Sequence, residues 1–320
     1  LQSLVSSAAA EVEDPAKKAT ALARVRARRI AQAKTEPERR EAREEPGLRL
    51  YALGSGSDYT PFLQHLTIAS LNLGFGGEDA GGIYHSIYDD FSWYTRFNDG
   101  EFVYGRALAQ TGVTVVARLA NAEILPFDFR DLADTVKRYV KEVEDLAHNQ
   151  REEAEEERRR VEENVAFLAA DPREPFVAPV APAIVPHFDL SPLQNSAASL
   201  EGAARDYEKA LEAAMAAGMT PDRARRVNAI LRGVEPSFGS AEGLPRRPWF
   251  RHLLYAPGFY TGYAVKTLPM VREPLEQKQW DLVNPGAKTT AAAIERGAAK
   301  IREAAKALGG APAAAAAPVR

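Results

Sequence analysis

DLADTVKRYVKEVEDLA, residues 131–147, sets its apolar residues three and four apart, the spacing that lines one face of an α-helix. The pattern runs on into HNQREEAEEERRR (148–160), where Glu155–Arg159 and Glu156–Arg160 are i,i+4 pairs of favourable polarity. That second half is polar all round, so it reads as a solvated helix or one arm of a helical hairpin. This run divides the chain. Residues 47–122 before it have the texture of α/β protein, and the chain after it is largely helical.

Working back from it, residues 90–122 predict two amphipathic helices, the second through FVYGRALAQTGVTVVARLA (102–120). LRLYALG (48–54) and TIASLNLGF (67–75) are short apolar runs bounded by glycine, as buried strands are. Between them SDYTPFLQHL (57–66) opens with a capping Ser-Asp pair and sets Pro61 near a first helical turn. Strand, Gly-Ser turn and helix start together present backbone N–H groups and small hydroxyls to a ligand. Residues 1–46, with ARVRARRI and TEPERREAREEP, predict a solvated helix and a polar connector. A nucleic-acid patch is disfavoured there by interleaved acids and missing aromatics.

Working forward, DPREPFVAPVAPAIVPHFDL (171–190) has prolines at 172, 175, 179, 182 and 186, and so predicts an extended connector. Helices are expected over 193–218, 221–233 and 286–308, with RHLLYAPGFYTGYAV in a loop between the last two. GGAPAAAAAPVR (309–320) reads as a disordered tail.

Composition limits the function classes. The chain has 320 residues, 45% hydrophobic and 27% charged, enough for two domains with a sizeable core. A net charge of -3 favours neither nucleic acid nor an anionic membrane surface. No apolar run reaches the ~20 residues that span a bilayer. With no cysteine, disulfides and thiolate metal sites are excluded. The sequence begins at Leu1 with no signal-peptide pattern, which reads as the middle of a longer protein.

The stretch GGIYHSIYDD (81–90) raises the question of metal binding, because His85 sits between a tyrosine and two acids. A histidine so placed is more often a hydrogen-bonded structural residue than a ligand, and no compact metal motif accompanies it. The residues alone leave both readings open.

LGSGSDYTPFLQHLTIASLNLGF, GGIYHSIYDDFSWYTRF, YGRALAQTGVTVVARLANAEILPFDF and RHLLYAPGFYTGYAVKTLP occur in an order that resembles the glutamate carboxypeptidase and transferrin receptor family. The resemblance extends from about Leu1 to Leu308. It implies the C-terminal portion of an α/β zinc exopeptidase domain, a mixed sheet with flanking helices (1–122). An all-α helical dimerisation domain (123–309) and the tail (310–320) would come after it. It implies further that His85 is a ligand in a two-zinc centre and that Tyr84 stabilises the tetrahedral oxyanion. The remaining ligands and the general-base glutamate of such a site match nothing in this sequence. Asp89 and Asp90 are therefore expected to cap the next helix or to orient His85.

By the same resemblance Ser55, Gly56, Ser57 and Tyr263 line the substrate pocket. Asn72, Gly74 and Gly262 stand where glutamate-releasing members have cations. A buried acidic side chain without a cation costs several kcal/mol, so strict glutamate specificity is not expected. The implied protein is an exopeptidase for small peptides, a homodimer with Trp249, Phe250 and Trp280 as candidate anchors, and extracellular or periplasmic. Catalysis by these residues alone is not expected. The alternative is a non-catalytic binding protein of the transferrin receptor type, against which Tyr84-His85 argues, since such a protein has no need of an imidazole there.

Overall fold

The computed structural model describes residues 1–45, 47–76 and 83–309, and the chain divides into two compact units. One comprises Leu1–Tyr51 with Leu71–Asp128, the other Ala52–Ser70 with Phe129–Arg320. The expected tail and Gly81–Gly82 of the histidine motif lie outside the described residues.

The first unit holds α1 (Gln2–Ala9), α2 (Ala21–Gln32), α3 (Glu36–Glu44), α4 (Phe91–Phe97) and α5 (Val103–Asn121). Three helices replace the single one expected before residue 46. Thr20 and Thr35 explain two of the starts, since each side chain accepts from the backbone N–H three residues on. Glu38 completes a capping box with Thr35. The core packs Leu4, Val5 and Ala8 of α1 against Val115 of α5, flanked by Leu48, Leu50, Leu71 and Leu73.

Those four leucines come from the two runs expected to be strands, and here the expectation is corrected. Among the described residues neither run forms a ladder. Leu71 and Leu73 turn inward while Asn72 and Gly74 are exposed, which is the period-two signal that suggested a strand. Pairing needs a second backbone, and side chains stand in for it at the first run. Leu48 N–H donates to Ser6 Oγ at 2.8 Å, and Leu50 N–H donates to Gln2 Oε1 at 2.9 Å. The α/β character expected of this region is thus only weakly expressed.

The second unit is helical, as the resemblance implied. It holds α6 (Phe129–Glu162), α7 (Val165–Ala169), α8 (Ser191–Ala217), α9 (Pro221–Leu231), α10 (Pro269–Glu276) and α11 (Val283–Gly309). Its buried positions alternate steps of four and three. In α11 one such seam runs through Val283, Ala287, Thr290, Ile294, Gly297, Ile301, Ala304 and Leu308, with Gly286, Ala291, Ala293 and Ala298 buried beside it. In α8 the seam passes through Leu193, Ala197, Leu200, Ala204 and Tyr207, and in α6 through Phe129, Ala133, Val136, Val140, Val143 and Ala147, with further buried residues beside both. A seam of this period lets long helices stay in contact along their length, and α8 lies against both α6 and α11. Beyond Ala147 no residue of α6 is buried. There Arg151 and Arg158 each donate to a carbonyl of the proline connector, Pro186 and Pro182, at 3.0 Å.

The only strands among the described residues are β1 (Tyr255–Pro257) and β2 (Val265–Thr267). They form an antiparallel hairpin in the register Tyr255↔Thr267, Ala256↔Lys266 and Pro257↔Val265. Residues 57–66 start a short helical segment from Tyr59, as expected, which continues as a π-helix at Pro61–His65. The candidate dimer anchor Phe250 packs inward near Leu244, Leu253, Ala256 and Ala293.

Candidate functional site

The residues singled out in the sequence fall in two places, one in each unit. In the second unit, Ser55, Gly56 and Tyr263 come together although they lie far apart in sequence. Ser55 N–H donates to the Tyr263 carbonyl at 3.2 Å, closing the Gly-Ser turn onto the loop of the β1–β2 hairpin. Two glycines make this approach possible. A Cβ on Gly54 would stand 1.9 Å from the Tyr263 carbonyl oxygen. At Gly56 a Cβ would stand 2.8 Å from the tyrosine ring, and its φ of +98° lies in the left-handed region that favours glycine. Ser57 lies one residue on, exposed, with its carbonyl accepting from Thr60 N–H at 2.9 Å.

Tyr263 itself is 66% exposed. Lys266 pairs with Glu276 at 2.8 Å, and Arg247 with Glu273 at 2.6 Å. Glu273 also accepts from Phe259 N–H at 2.8 Å, which fixes one root of the loop, and Arg246 lies 4.1 Å over the Phe259 ring. Gly262 has φ +62° and open space where a side chain would be. Lys266, Arg247 and Arg246 are thus each engaged by a carboxylate or an aromatic face.

The other root of the hairpin rests on a buried polar cluster that the sequence reading missed. His252 is fully buried, its Nε2 is 3.0 Å from Glu235 Oε1, and Tyr255 donates to the same oxygen at 2.7 Å. Leu254 N–H donates to His252 Nδ1 at 3.3 Å, which places the imidazole proton on Nε2. Burial acts to raise the Glu235 carboxyl, but donation from His252 and Tyr255 outweighs it and holds the group below its ordinary 4.5. Burial and the Glu235 charge push the Tyr255 phenol well up. The signal that could have found this cluster is two polar groups, His252 and Tyr255, set into the apolar run RHLLYAP.

In the first unit, Tyr84 and His85 sit on an exposed turn. The tyrosine is 73% exposed, and its ring stacks on the imidazole with centroids 3.8 Å apart. The turn is held by local bonds, Ser86 N–H to Ile83 O and Asp89 N–H to Ser86 O. His85 has φ +65°, a conformation that costs a residue with a Cβ of order 1–3 kcal/mol and that concentrates at functional positions. Asp90 caps α4, accepting from Trp93 N–H at 2.8 Å, one of the two roles expected of the acid pair. Among the described residues no three His, Asp or Glu side chains gather as a metal would require. The described residues therefore offer His85 as an exposed imidazole on this turn and do not assemble a zinc centre by themselves.

Residues 188–306 match the transferrin receptor-like dimerisation domain. The chain is 29% identical over 225 residues to a probable glutamate carboxypeptidase of Arabidopsis thaliana, covering 70% of this chain and 27% of the relative. It is 30% identical over 227 residues to a probable glutamate carboxypeptidase of Arthroderma benhamiae, covering 70% and 26%. An aminopeptidase of Mus musculus is 24% identical over 214 residues, covering 65% and 24%. The chain thus spans about a quarter of the length of the curated relatives it matches.

Proposed function

We propose that this chain, a member of the glutamate carboxypeptidase and transferrin receptor family, supplies the dimer-forming domain and part of the substrate site of a zinc-dependent exopeptidase. The observation that supports the reading is the seating of the Ser55–Gly56–Ser57 turn on Tyr263, which gathers candidate pocket residues from distant parts of the sequence. Backbone N–H groups and hydroxyls on such a turn, with a phenol beside them, suit the polar end of a small peptide.

In this reading His85 gives its imidazole to one of two zinc ions whose other ligands lie outside these residues. Bound zinc would supply a Lewis acid and a nucleophilic hydroxide. Tyr84 donates its phenolic hydrogen to the oxygen that gains charge as the peptide carbonyl becomes tetrahedral. Its exposure leaves the hydroxyl free for that task. With Gly262 beside Tyr263 and with Lys266, Arg247 and Arg246 already engaged, the site favours neutral over acidic side chains, since an acidic one costs several kcal/mol without a cation. The helical domain pairs two copies about a two-fold axis. The assembled enzyme acts outside the cytoplasm, in an extracellular or periplasmic setting.

The test is hydrolysis of a panel of dipeptides and N-acyl amino acids by the full-length protein, with and without a zinc chelator. The expected result is chelator-sensitive release of the C-terminal residue, with neutral substrates at least matching acidic ones in kcat/KM. No hydrolysis of any member would leave the non-catalytic binding protein. A single species of monomer mass in light scattering would defeat the dimer.

A further inference from the structure

Gln64 is fully buried and, although it lies within the stretch SDYTPFLQHL, has no role of its own from the sequence. Its carboxamide Nε2 donates to two successive carbonyls, Leu53 O at 2.9 Å and Gly54 O at 3.0 Å. In an extended strand successive carbonyls point to opposite sides, so one donor group reaches both only where the chain bends between them. That bend ends the apolar run 48–54 and opens the Gly-Ser turn. The orientation of the amide is set by the same contacts, since the reverse would put an oxygen against two carbonyl oxygens. Oε1, left over on the other side, has no hydrogen-bond partner among the described residues.

The backbone of Gln64 ties the turn to the hairpin. Its carbonyl accepts from Arg251 N–H at 2.7 Å, one residue before His252. Next to it, His65 Nδ1 contacts the Trp249 carbonyl at 2.8 Å and its ring stacks on Trp249. Segment 249–255 is therefore a strut, gripped at one end by the Pro61–His65 turn and at the other by Glu235 through His252 and Tyr255. It leads directly into β1, whose hairpin carries Tyr263.

We propose that Gln64 is a positioning residue for the substrate site, its carboxamide bending the chain at Leu53–Gly54 so that the Ser55–Ser57 turn meets Tyr263. The inference rests on the reading of that turn as part of the peptide pocket. It assigns a role to a side chain that would not itself touch substrate.

Gln64→Met keeps the length and burial of the side chain but removes both donors. Gln64→Asn keeps an amide too short to reach both carbonyls. Each is made in the full-length protein and followed by amide hydrogen exchange and by steady-state kinetics on the best dipeptide of the panel. For Gln64→Met, exchange of residues 52–58 should rise about tenfold or more while α8 is unchanged. KM should rise about tenfold with kcat within about threefold, the pattern of lost binding rather than lost chemistry. The asparagine variant should fall between this and wild type. Faster exchange confined to 52–58, in a protein that hydrolyses nothing, would uphold the clamp and defeat the peptidase reading. Unchanged exchange, or faster local exchange with KM unmoved, would overturn the proposal. So would a rise in exchange throughout α8, which marks Gln64 as a general stability residue.

Discussion

The Tyr84–His85 turn and the Ser55–Tyr263 contact are both exposed and both polar, yet they are held in opposite ways. The first is fixed by bonds between residues two and three apart and by one stacked ring pair. The second is fixed by contacts that close about two hundred residues of chain, by two glycines that cannot bear a Cβ, and by a buried amide behind them. A turn held only locally can keep a strained residue such as His85 when something outside it rewards the conformation. On the reading proposed above, the second place would be a preformed part of the pocket, and the first a side chain that relies on ligands outside these residues.

That contrast can be broken by substitution, and the largest effect belongs to the first place. Tyr84→Phe removes one donor and little else, since the ring is exposed and keeps its stack on His85. It should slow turnover of the full-length enzyme by roughly 10²–10³, the usual loss for one oxyanion donor. Thermal stability should be unchanged. An equal rate for the phenylalanine variant would remove Tyr84 from the chemistry.

In the second place a change should act on structure first. Gly54→Ala puts a methyl group 1.9 Å from the Tyr263 carbonyl, so the turn and the hairpin must separate. Overpacking of this kind costs about 1–3 kcal/mol, to be read from denaturant unfolding of the full-length protein. KM should rise with it. A stable Gly54→Ala protein with unaltered KM would mean that the contact is not part of the pocket.

The smallest effect sharpens the comparison through pH. Glu235, under the hairpin, titrates below its ordinary value of 4.5 in the folded chain, so folding is favoured by its ionised form. That contribution is present above 4.5 and is lost as pH falls through the lower folded value. Glu235→Gln can still accept from His252 and Tyr255 but carries no charge. The gap in urea midpoint between wild type and this variant should therefore be seen near neutrality and shrink below pH 4.5. A gap that ignores pH would place the stabilisation elsewhere.

The sequence was legible where one element carries its own signal. α6, α8 and α11 stand close to their expected limits because a three-and-four spacing needs no partner to be recognised. The proline connector and the Asp90 cap are local for the same reason. Strands at 48–54 and 67–75 were misjudged because alternation marks a buried extended run, whereas a strand also needs a neighbouring backbone. Gln64 and the Glu235–His252–Tyr255 cluster were invisible because their meaning lies in partners brought near by folding. A glutamine in PFLQHL looks like any polar residue until Leu53 and Gly54 are found in front of it.

The central claim is that His85 is presented as a zinc ligand, and zinc content tests it most directly. Metal analysis of the full-length protein should find about two ions per subunit, the number expected of the family's paired centre, and His85→Ala should reduce this to about one. The same stoichiometry in both proteins, or no zinc in either, would contradict the account.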